Sequence, residues 1–525
     1  MLIVLADAWC ISQASGIPQL RKQGSATQLI VHGKPFLIRG GELGNSSSSS
    51  IEYMKPVWEK LVKMNLNTVL IPIYWELIEP QEGKFDFTLV DGLIRDARAS
   101  GLKLVPLWFG SWKNSMSSYV PSWVKKDQKR FPRSQDKSGR GLEILSPFSD
   151  ENMRADAAAF RAFMRHLREI DARDSTILMV QVENEIGMIP DSRDRSQIAE
   201  KLYRVPVPGE LMSYLESRKE NLVTELRAAW LANGYKKSGT WEEVFGQGIS
   251  TEEIFMAWHF ARYTNFVAEA GKAEYPLPMF VNAALIRPGY VAGQYPSAGP
   301  LPHLMDIWRS GAPKIDFLSP DIYFQNFAEW CRKYDRSGNA FFIPEAGPFP
   351  NVPVNMLYAV GQHNAIGVSP FAIESLDENL GGKLASAYSL LAQLEPVILA
   401  NQGKEAMAGL LSGGEEQRAP QRLLLNGYTL SVNYEKGADA PLTGGLVIAP
   451  APDEFIIAGT GLTVTFDTAA EDSLVGLLSV DEGKFANGQW ISGRRLNGDQ
   501  TNQGRHVRLN TGKFDIQRVK LYRYH

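Results

Sequence analysis

The chain has 525 residues, 44% of them hydrophobic and 22% charged, with 55 Lys plus Arg against 58 Asp plus Glu and a net charge of −3. That length allows roughly two to four domains, or one large barrel with a smaller companion. The balance excludes a disordered chain, which needs low hydrophobicity and high net charge, and it excludes the basic face of a nucleic-acid binder.

The chain opens on a short apolar run, Met1 to Cys10. It is too short to cross a bilayer and lacks a basic leader, but it has the character of a truncated signal peptide. The expectation is a periplasmic or secreted protein, with a cytoplasmic one also compatible, and residues 1–29 are read as an N-terminal segment. No later stretch reaches 18 uninterrupted apolar residues, so no integral membrane span is expected. The two cysteines, Cys10 and Cys331, make no disulfide framework.

Eight short apolar runs follow, spaced by helical patterns: Phe36–Gly41, Thr68–Tyr74, Leu102–Phe109, Thr176–Val182, Met279–Leu285, Ile315–Tyr323, Phe341–Pro344 and Gly367–Ile373. Unbroken runs of this kind suit parallel strands buried on both faces. Amphipathic stretches such as Tyr53–Met64 and Ala155–Ile170 supply the packing helices. The serine run Ser46–Ser50 reads as a loop leading into a helix cap. Eight strands with helical crossovers predict an α/β fold, a closed (β/α)₈ barrel over residues 30–405. A doubly wound sheet would normally carry a Gly-rich phosphate turn after an early strand, and none is present. The long stretch between runs four and five, with helical patterns at Glu210–Asn233 and Thr251–Ala270, reads as a helical insertion at the barrel top.

Leu384–Leu399 has the pattern of the last barrel helix, and Ser412–Glu416 is a turn-rich linker. Beyond it, short alternating segments predict an all-β, sandwich-like domain over residues 415–525, with Asn487-Gly488 as a hairpin turn.

Active sites of such barrels gather where the strands end. Run four closes on Gln181-Val182-Glu183-Asn184-Glu185, and run seven on Pro344-Glu345-Ala346. Strands four and seven face each other across an eight-stranded barrel, so Glu185 and Glu345 can oppose one another over a cleft. Two facing carboxyls suit acetal hydrolysis: one protonates the leaving oxygen and the other attacks the anomeric carbon. A lone strand-end Glu is as well explained by a rim salt bridge. The pair, with Asn184 placed to hold a sugar hydroxyl, is the specific signal. The aromatic content, 12 Trp, 18 Tyr and 24 Phe, fits a large core and also the stacking of rings on pyranose faces. By position, Trp108, Trp112, Asn114, Tyr323 and Glu374 are further candidates for sugar contacts, with weaker claims for Asn282 and Arg287. Seven histidines show no paired-ligand spacing, so neither metal nor cofactor is expected.

These segments resemble the clan A glycoside hydrolases, and family 35 β-galactosidases in particular. Gln181–Gly187 (QVENEIG) is similar to that family's QVENEYG segment. Asn67-Thr68 through Trp75 to Glu79-Pro80 and Gly83–Phe87 resembles its NTV…EP…G.(F/Y)DF pattern, and His32–Phe36 its entry to strand one. The resemblance spans about residues 30 to 375. It implies Glu185 as acid/base, Glu345 as nucleophile, Asn184 against the 2-hydroxyl, Glu183 beneath the sugar and Glu42 in the substrate shell. The implied activity is a retaining exo-β-galactosidase acting on oligosaccharides or polysaccharides, such as galactosylated plant cell-wall glycans. Several family positions differ: Leu43-Gly44 stands where His-Tyr is usual, Pro72 replaces a Tyr, and Pro344-Glu345-Ala346 replaces Ser-Glu-(Tyr/Phe). These differences keep two alternatives open: a clan A hydrolase of another β-linked sugar, family 42-like or β-glucosidase-like, and a non-catalytic carbohydrate-binding protein. A homo-oligomer is compatible with either.

Overall fold

A computed structural model describes residues 16–412, 420–435, 443–468 and 473–525. The eight apolar runs form eight parallel strands closed into a barrel: β1 Ile38–Glu42, β2 Thr68–Tyr74, β3 Lys103–Lys113, β4 Val180–Asn184, β5 Met279–Ala284, β6 Phe317–Ile322, β7 Ile343–Ala346 and β8 Gly367–Pro370. Each pairs with the next in sequence, and β8 pairs with β1 through Gly367↔Ile38.

Strand alternation sorts side chains into two cores. On β2, Val69, Ile71 and Ile73 face the helical layer, while Leu70 and Tyr74 face the barrel interior. On β3, Leu104 and Trp108 face the helices, and Val105, Leu107 and Phe109 fill the interior. The same two-residue period puts Phe280 of β5 and Phe317 of β6 inside, and Val281 and Leu318 outside.

The helical layer follows from ordinary start signals. Helix α1 (Ile51–Lys63) begins at Ser50, whose side chain accepts from the Tyr53 N–H, and α2 (Asp150–Asp171) begins at Ser149, which accepts from Asn152. The insertion between β4 and β5 is helical, as expected, and ends in α3 (Ile249–Glu274), which packs along α2. The single helix expected over Glu210–Asn233 is instead two, Gly209–Ser217 and Thr224–Ala232. The buried Asp306 carboxylate accepts the Val223 N–H at 2.6 Å, and this tertiary bond takes an amide that would otherwise continue the helix.

The chain ends are folded further than the sequence implied. Gln19–Gln23, Ala26–Val31 and Lys34–Phe36 form a small antiparallel sheet, and Leu29 and Val31 close the interior core from below. Residues 16–29 are therefore part of the fold. The apolar run Met1–Cys10 lies outside the described residues, as do residues 413–416 of the expected linker.

Helix α4 (Val352–His363) follows β7, and α5 (Glu378–Asn401) is the last barrel helix. The β-domain begins earlier than residue 415, because Met407–Leu411 is already a strand, β9. Two antiparallel sheets follow. One has the order β9, β12 (Gly444–Ala451), β13 (Glu454–Thr460), β18 (Asp515–Tyr524), β15 (Leu474–Ala486), β16 (Gln489–Leu496). The other has the order β10 (Gln421–Leu425), β11 (Tyr428–Tyr434), β14 (Leu462–Thr468), β17 (Val507–Leu509). Asn487 and Gly488, with φ of 51° and 75°, make the two-residue turn between β15 and β16.

At β12 and β13 the larger sheet is buried on both faces. Val447, Phe455 and Ile457 point into the sandwich core with Tyr428, Leu430 and Val464. Their neighbours Leu446, Ile448, Ile456 and Ala458 belong to the barrel's core. The contact with α4 is close: a Cβ on Gly361 would lie 2.7 Å from the Leu446 Cβ and 2.9 Å from the Ala408 carbonyl oxygen. Replacing Gly361 with Leu should therefore cost about 1–3 kcal/mol through overpacking and lower the melting temperature measured by calorimetry. An unchanged melting temperature would show that the two domains separate freely.

Candidate active site

The open end of the barrel gathers side chains that the strand period aims inward. Glu42 ends β1, Lys113 ends β3, Asn184 and Glu185 close β4, Asn282 lies on β5, Asp321 on β6 and Glu345 on β7. All seven are buried. One carboxylate oxygen from each of Glu185, Asp321 and Glu345 lies within 4.8 Å of the other two.

The hydrogen bonds are specific. The Asn114 side-chain amide donates to Glu185, and the Glu185 N–H donates to the Asn282 carbonyl oxygen at 3.0 Å. The Asn282 amide in turn donates to Asp321 at 2.6 Å. Tyr323 donates its hydroxyl to Glu345 at 2.5 Å. Several buried polar atoms have no partner: both side-chain atoms of Asn184, and one oxygen each of Glu42, Asp321, Glu345 and Glu374. Buried polar groups are normally satisfied, so this concentration at one strand-end ring marks a place for a polar ligand. The ring opens into a cavity of about 470 Å³ lined by Asn114, Glu185, Asp321, Tyr323, Arg287 and Tyr290.

The backbone at β4 is held in an uncommon shape. Glu183 and Glu185 both adopt the left-handed region, with φ of 61° and 45°. For non-glycine residues this costs about 1–3 kcal/mol each and persists only where the surroundings impose it. The result separates two carboxyls that are only two residues apart. Glu185 faces the cavity, whereas Glu183 turns behind it and accepts the Trp112 N–H at 2.7 Å.

Burial governs the protonation of these acids. Burial and the nearby Glu345 charge push Glu185 up to about 7, while Lys113 and Asn114 pull against that rise. Glu42 is held well above the usual carboxylate range by burial and then by Glu345. Asp321 is held high by burial, then by Glu345, Glu185 and Glu42. Glu183 is also raised, by burial and by Asp156. Burial and the Glu345 charge keep the Tyr323 phenol protonated, consistent with its role as donor. The Lys113 ammonium supplies the balancing positive charge, so the acidic cluster already contains its own cation.

The residues expected for sugar contact divide into two groups. Asn114 donates to Glu185, Tyr323 donates to Glu345, Glu42 feels the charge of both, and Asn184 precedes Glu185 at the end of β4, while Glu374 is held by Ser47 and Gly44. Trp108 and Trp112 form the second group: both have no exposed surface and both point into the helical layer. The Trp108 indole N–H donates to Asp156 at 2.9 Å, and Trp112 packs against Phe260 and Tyr263. The expectation that these two rings stack on a sugar is thus corrected. The reason is strand parity, which sends residues 108 and 112 to one face and Lys113 to the other. Gly110 is needed in this support layer, because a Cβ there would lie 2.3 Å from the Trp108 Nε1 and 2.7 Å from a Glu183 oxygen.

The serine run is also more than a loop leading to a cap. Ser47 donates to Glu374 at 2.5 Å, the Gly44 N–H donates to the same oxygen at 3.0 Å, and Ser48 donates to the Pro72 carbonyl oxygen at 2.7 Å. Lys113 and Asp321 were not among the sequence candidates. Both end or nearly end barrel strands on the inward parity, and that combined rule would have found them.

Fold and site together define a (β/α)₈ barrel with the paired strand-end carboxyls of clan A glycoside hydrolases. Residues 48–269, less than half the chain, match the family model described as beta-galactosidase, glycoside hydrolase family 42. The match is to family 42 and not to the family 35 drawn from the motifs, while the clan-level resemblance stands. Residues 384–508 match a domain of unknown function, DUF5597. A beta-galactosidase of Xanthomonas manihotis is 28% identical over 200 residues, which is 36% of this chain and 30% of that protein. Among solved structures, a beta-galactosidase from Rahnella sp. R3 gives a TM-score of 0.47 at 16% identity, over 70% of this chain and 57% of its own. One from Bacillus circulans sp. alkalophilus gives 0.48 at 16%, over 69% and 57%. The chain thus spans under a third of the curated relative and a little over half of these structures.

The corrected role of Trp108 is testable. Trp108→Phe keeps the ring but leaves Asp156 without its indole donor. It should cost about 1–3 kcal/mol in unfolding free energy, measured by denaturant titration. A change in substrate KM with stability untouched would restore the stacking role.

Proposed function

We propose that the protein is a retaining exo-β-galactosidase that removes terminal β-linked galactose from oligosaccharides, galactosylated plant cell-wall glycans among them. The observation that carries this reading is that one carboxylate oxygen of Glu185 and one of Glu345 lie within 4.8 Å of each other at the ends of opposed strands. Retaining enzymes keep their two carboxyls about 5–5.5 Å apart, whereas inverting ones leave about 6.5–9.5 Å for a water. The beta-galactosidase family match over residues 48–269 supports the same chemistry.

In this mechanism Glu345 attacks the anomeric carbon with its partnerless oxygen, while Tyr323 holds the other. Glu185 passes its proton to the glycosidic oxygen, and the aglycone leaves. The ester on Glu345 removes the anionic charge that helped raise Glu185. Glu185, now a carboxylate, takes a proton from water as that water attacks the same carbon. The unpaired amide of Asn184 is placed to hold a hydroxyl next to the reacting carbon. Glu42 and Glu374 offer acceptors for the remaining hydroxyls.

The test is a panel of nitrophenyl β-glycosides assayed with wild type, Glu185→Gln and Glu345→Gln. Galactoside should be turned over best, and kcat should fall by about 10²–10⁴ in Glu185→Gln and by about 10⁴ or more in Glu345→Gln. Preference for another sugar would favour the broader clan A reading, in line with the changed residues around strands one, two and seven. Absence of turnover on every sugar would leave carbohydrate binding without catalysis. The first step needs protonated Glu185, so the alkaline limb of kcat/KM should decline as pH rises through about 7. A profile flat to pH 9 would remove Glu185 from the acid role.

A further inference from the structure

Asp321 has no part in the two-carboxylate chemistry, yet it lies at its centre. Its side chain is 1% exposed. One of its oxygens accepts from Asn282 at 2.6 Å, and the other has no partner. Asn282 also receives the Glu185 N–H, so one amide ties the Asp321 carboxyl and the Glu185 backbone into a fixed relation. An oxygen of Asp321 lies within 4.8 Å of one of Glu185. Asn282 spends its donor on one Asp321 oxygen, which leaves the other as the place for a proton directed into the site.

We propose that Asp321 is a positioning residue that stays neutral and donates its carboxyl proton in a hydrogen bond to Glu185 once Glu185 has given up its own. This rests on the acid/base reading of Glu185. No proton is transferred by Asp321. Glu185 loses its proton to the glycosidic oxygen, and the Asp321 O–H then solvates the carboxylate left behind. The groups facing Asp321 favour the neutral form on balance. Glu42 on β1, Glu185 on β4 and Glu345 on β7 oppose a further negative charge, Lys113 on β3 favours one, and burial opposes one. Asn282 on β5 contributes a neutral donor, and the Tyr323 hydroxyl is committed to Glu345.

Two variants test this. Asp321→Asn is isosteric, keeps an acceptor for Asn282, offers N–H where the carboxyl offered O–H, and cannot titrate. Asp321→Ala removes the donor. The first measurement needs no activity: the melting temperatures of wild type and Asp321→Asn between pH 4.5 and 7.5. An aspartate ionises near 3.9 in the unfolded chain. If it stays neutral when folded, wild type loses stability with rising pH until the folded pKa is reached, and the variant lacks this contribution while sharing those of the other buried acids. The gap in favour of Asp321→Asn should therefore widen continuously across this range; a gap that is flat above about pH 5 overturns the proposal.

The second measurement is the pH profile of kcat/KM on the best nitrophenyl glycoside. In Asp321→Ala the Glu185 carboxylate loses a donor, so the alkaline limb should move up by about one unit. Asp321→Asn should return it to within about 0.3 units of wild type. A limb that falls by about a unit in Asp321→Asn would mean that an ionised neighbour had been removed, and would also overturn the proposal. If Asp321→Ala does not fold, Asp321→Asn decides through both measurements. If wild type turns over no glycoside, the acid/base reading fails, and the melting series still decides whether Asp321 is neutral.

Discussion

Four carboxyl groups and one ammonium share the buried mouth of the barrel. Glu42, Glu185, Asp321 and Glu345 come from four different strands, and Lys113 comes from a fifth. Burial and mutual repulsion hold Glu42, Glu185 and Asp321 above the usual carboxylate range, so these three resist joint ionisation. The shape of the site follows from this limit. Tyr323 and Asn114 select which oxygens are held, and the unpaired atoms of Asn184 and Glu42 are left for whatever enters. Glu185, raised to about 7 and facing the cavity, has both the protonation and the position that acid/base chemistry requires.

A second layer holds this one in register. Behind the mouth, Glu183, Asp156, Trp108 and the backbone at Ser111 and Trp112 form a buried polar network between β3, β4 and α2. Its two acids, Glu183 and Asp156, are held largely by N–H donors. Such a network specifies one arrangement of its strands, because any shift leaves a buried acceptor unpaired. The left-handed backbone at Glu183 and Glu185 is the visible cost. The strand turns where the polar layer and the cavity layer separate.

Much of this was legible in the sequence. The eight strands lie within a few residues of the eight apolar runs, because a strand buried on both faces must be apolar throughout. The strand-end rule found Glu185 and Glu345, and the family resemblance added Glu42; the barrel's closure brings their backbones together. The rule misjudged Trp108 and Trp112, because an end-of-strand residue reaches the site only on the inward parity, and an unbroken apolar run hides which parity that is. Lys113 and Asp321 were missed because Lys113 lies four residues beyond the run Leu102–Phe109, Asp321 lies inside the run Ile315–Tyr323, and neither residue type signals burial alone. The serine run was read as a loop because its partners, Glu374 and the Pro72 carbonyl oxygen, are distant in the chain. The break at Arg218–Val223 was unreadable locally, since the bond that makes it comes from Asp306.

The larger sheet of the C-terminal domain has no solvent face where it meets α4, and its glycine contacts leave no room for a lubricating side chain. Helix α4 directly follows β7, the strand that carries Glu345. The sandwich is thus coupled in series with the strand bearing the proposed nucleophile. A load on the domain, whether from a polymer held elsewhere on the surface or from a neighbouring molecule, reaches the barrel through α4 and α5, both of which touch the sheet. In mechanical terms the C-terminal domain is an abutment behind the strand that carries Glu345, whereas the strand that carries Glu185 is braced by the polar layer and by its two neighbouring strands.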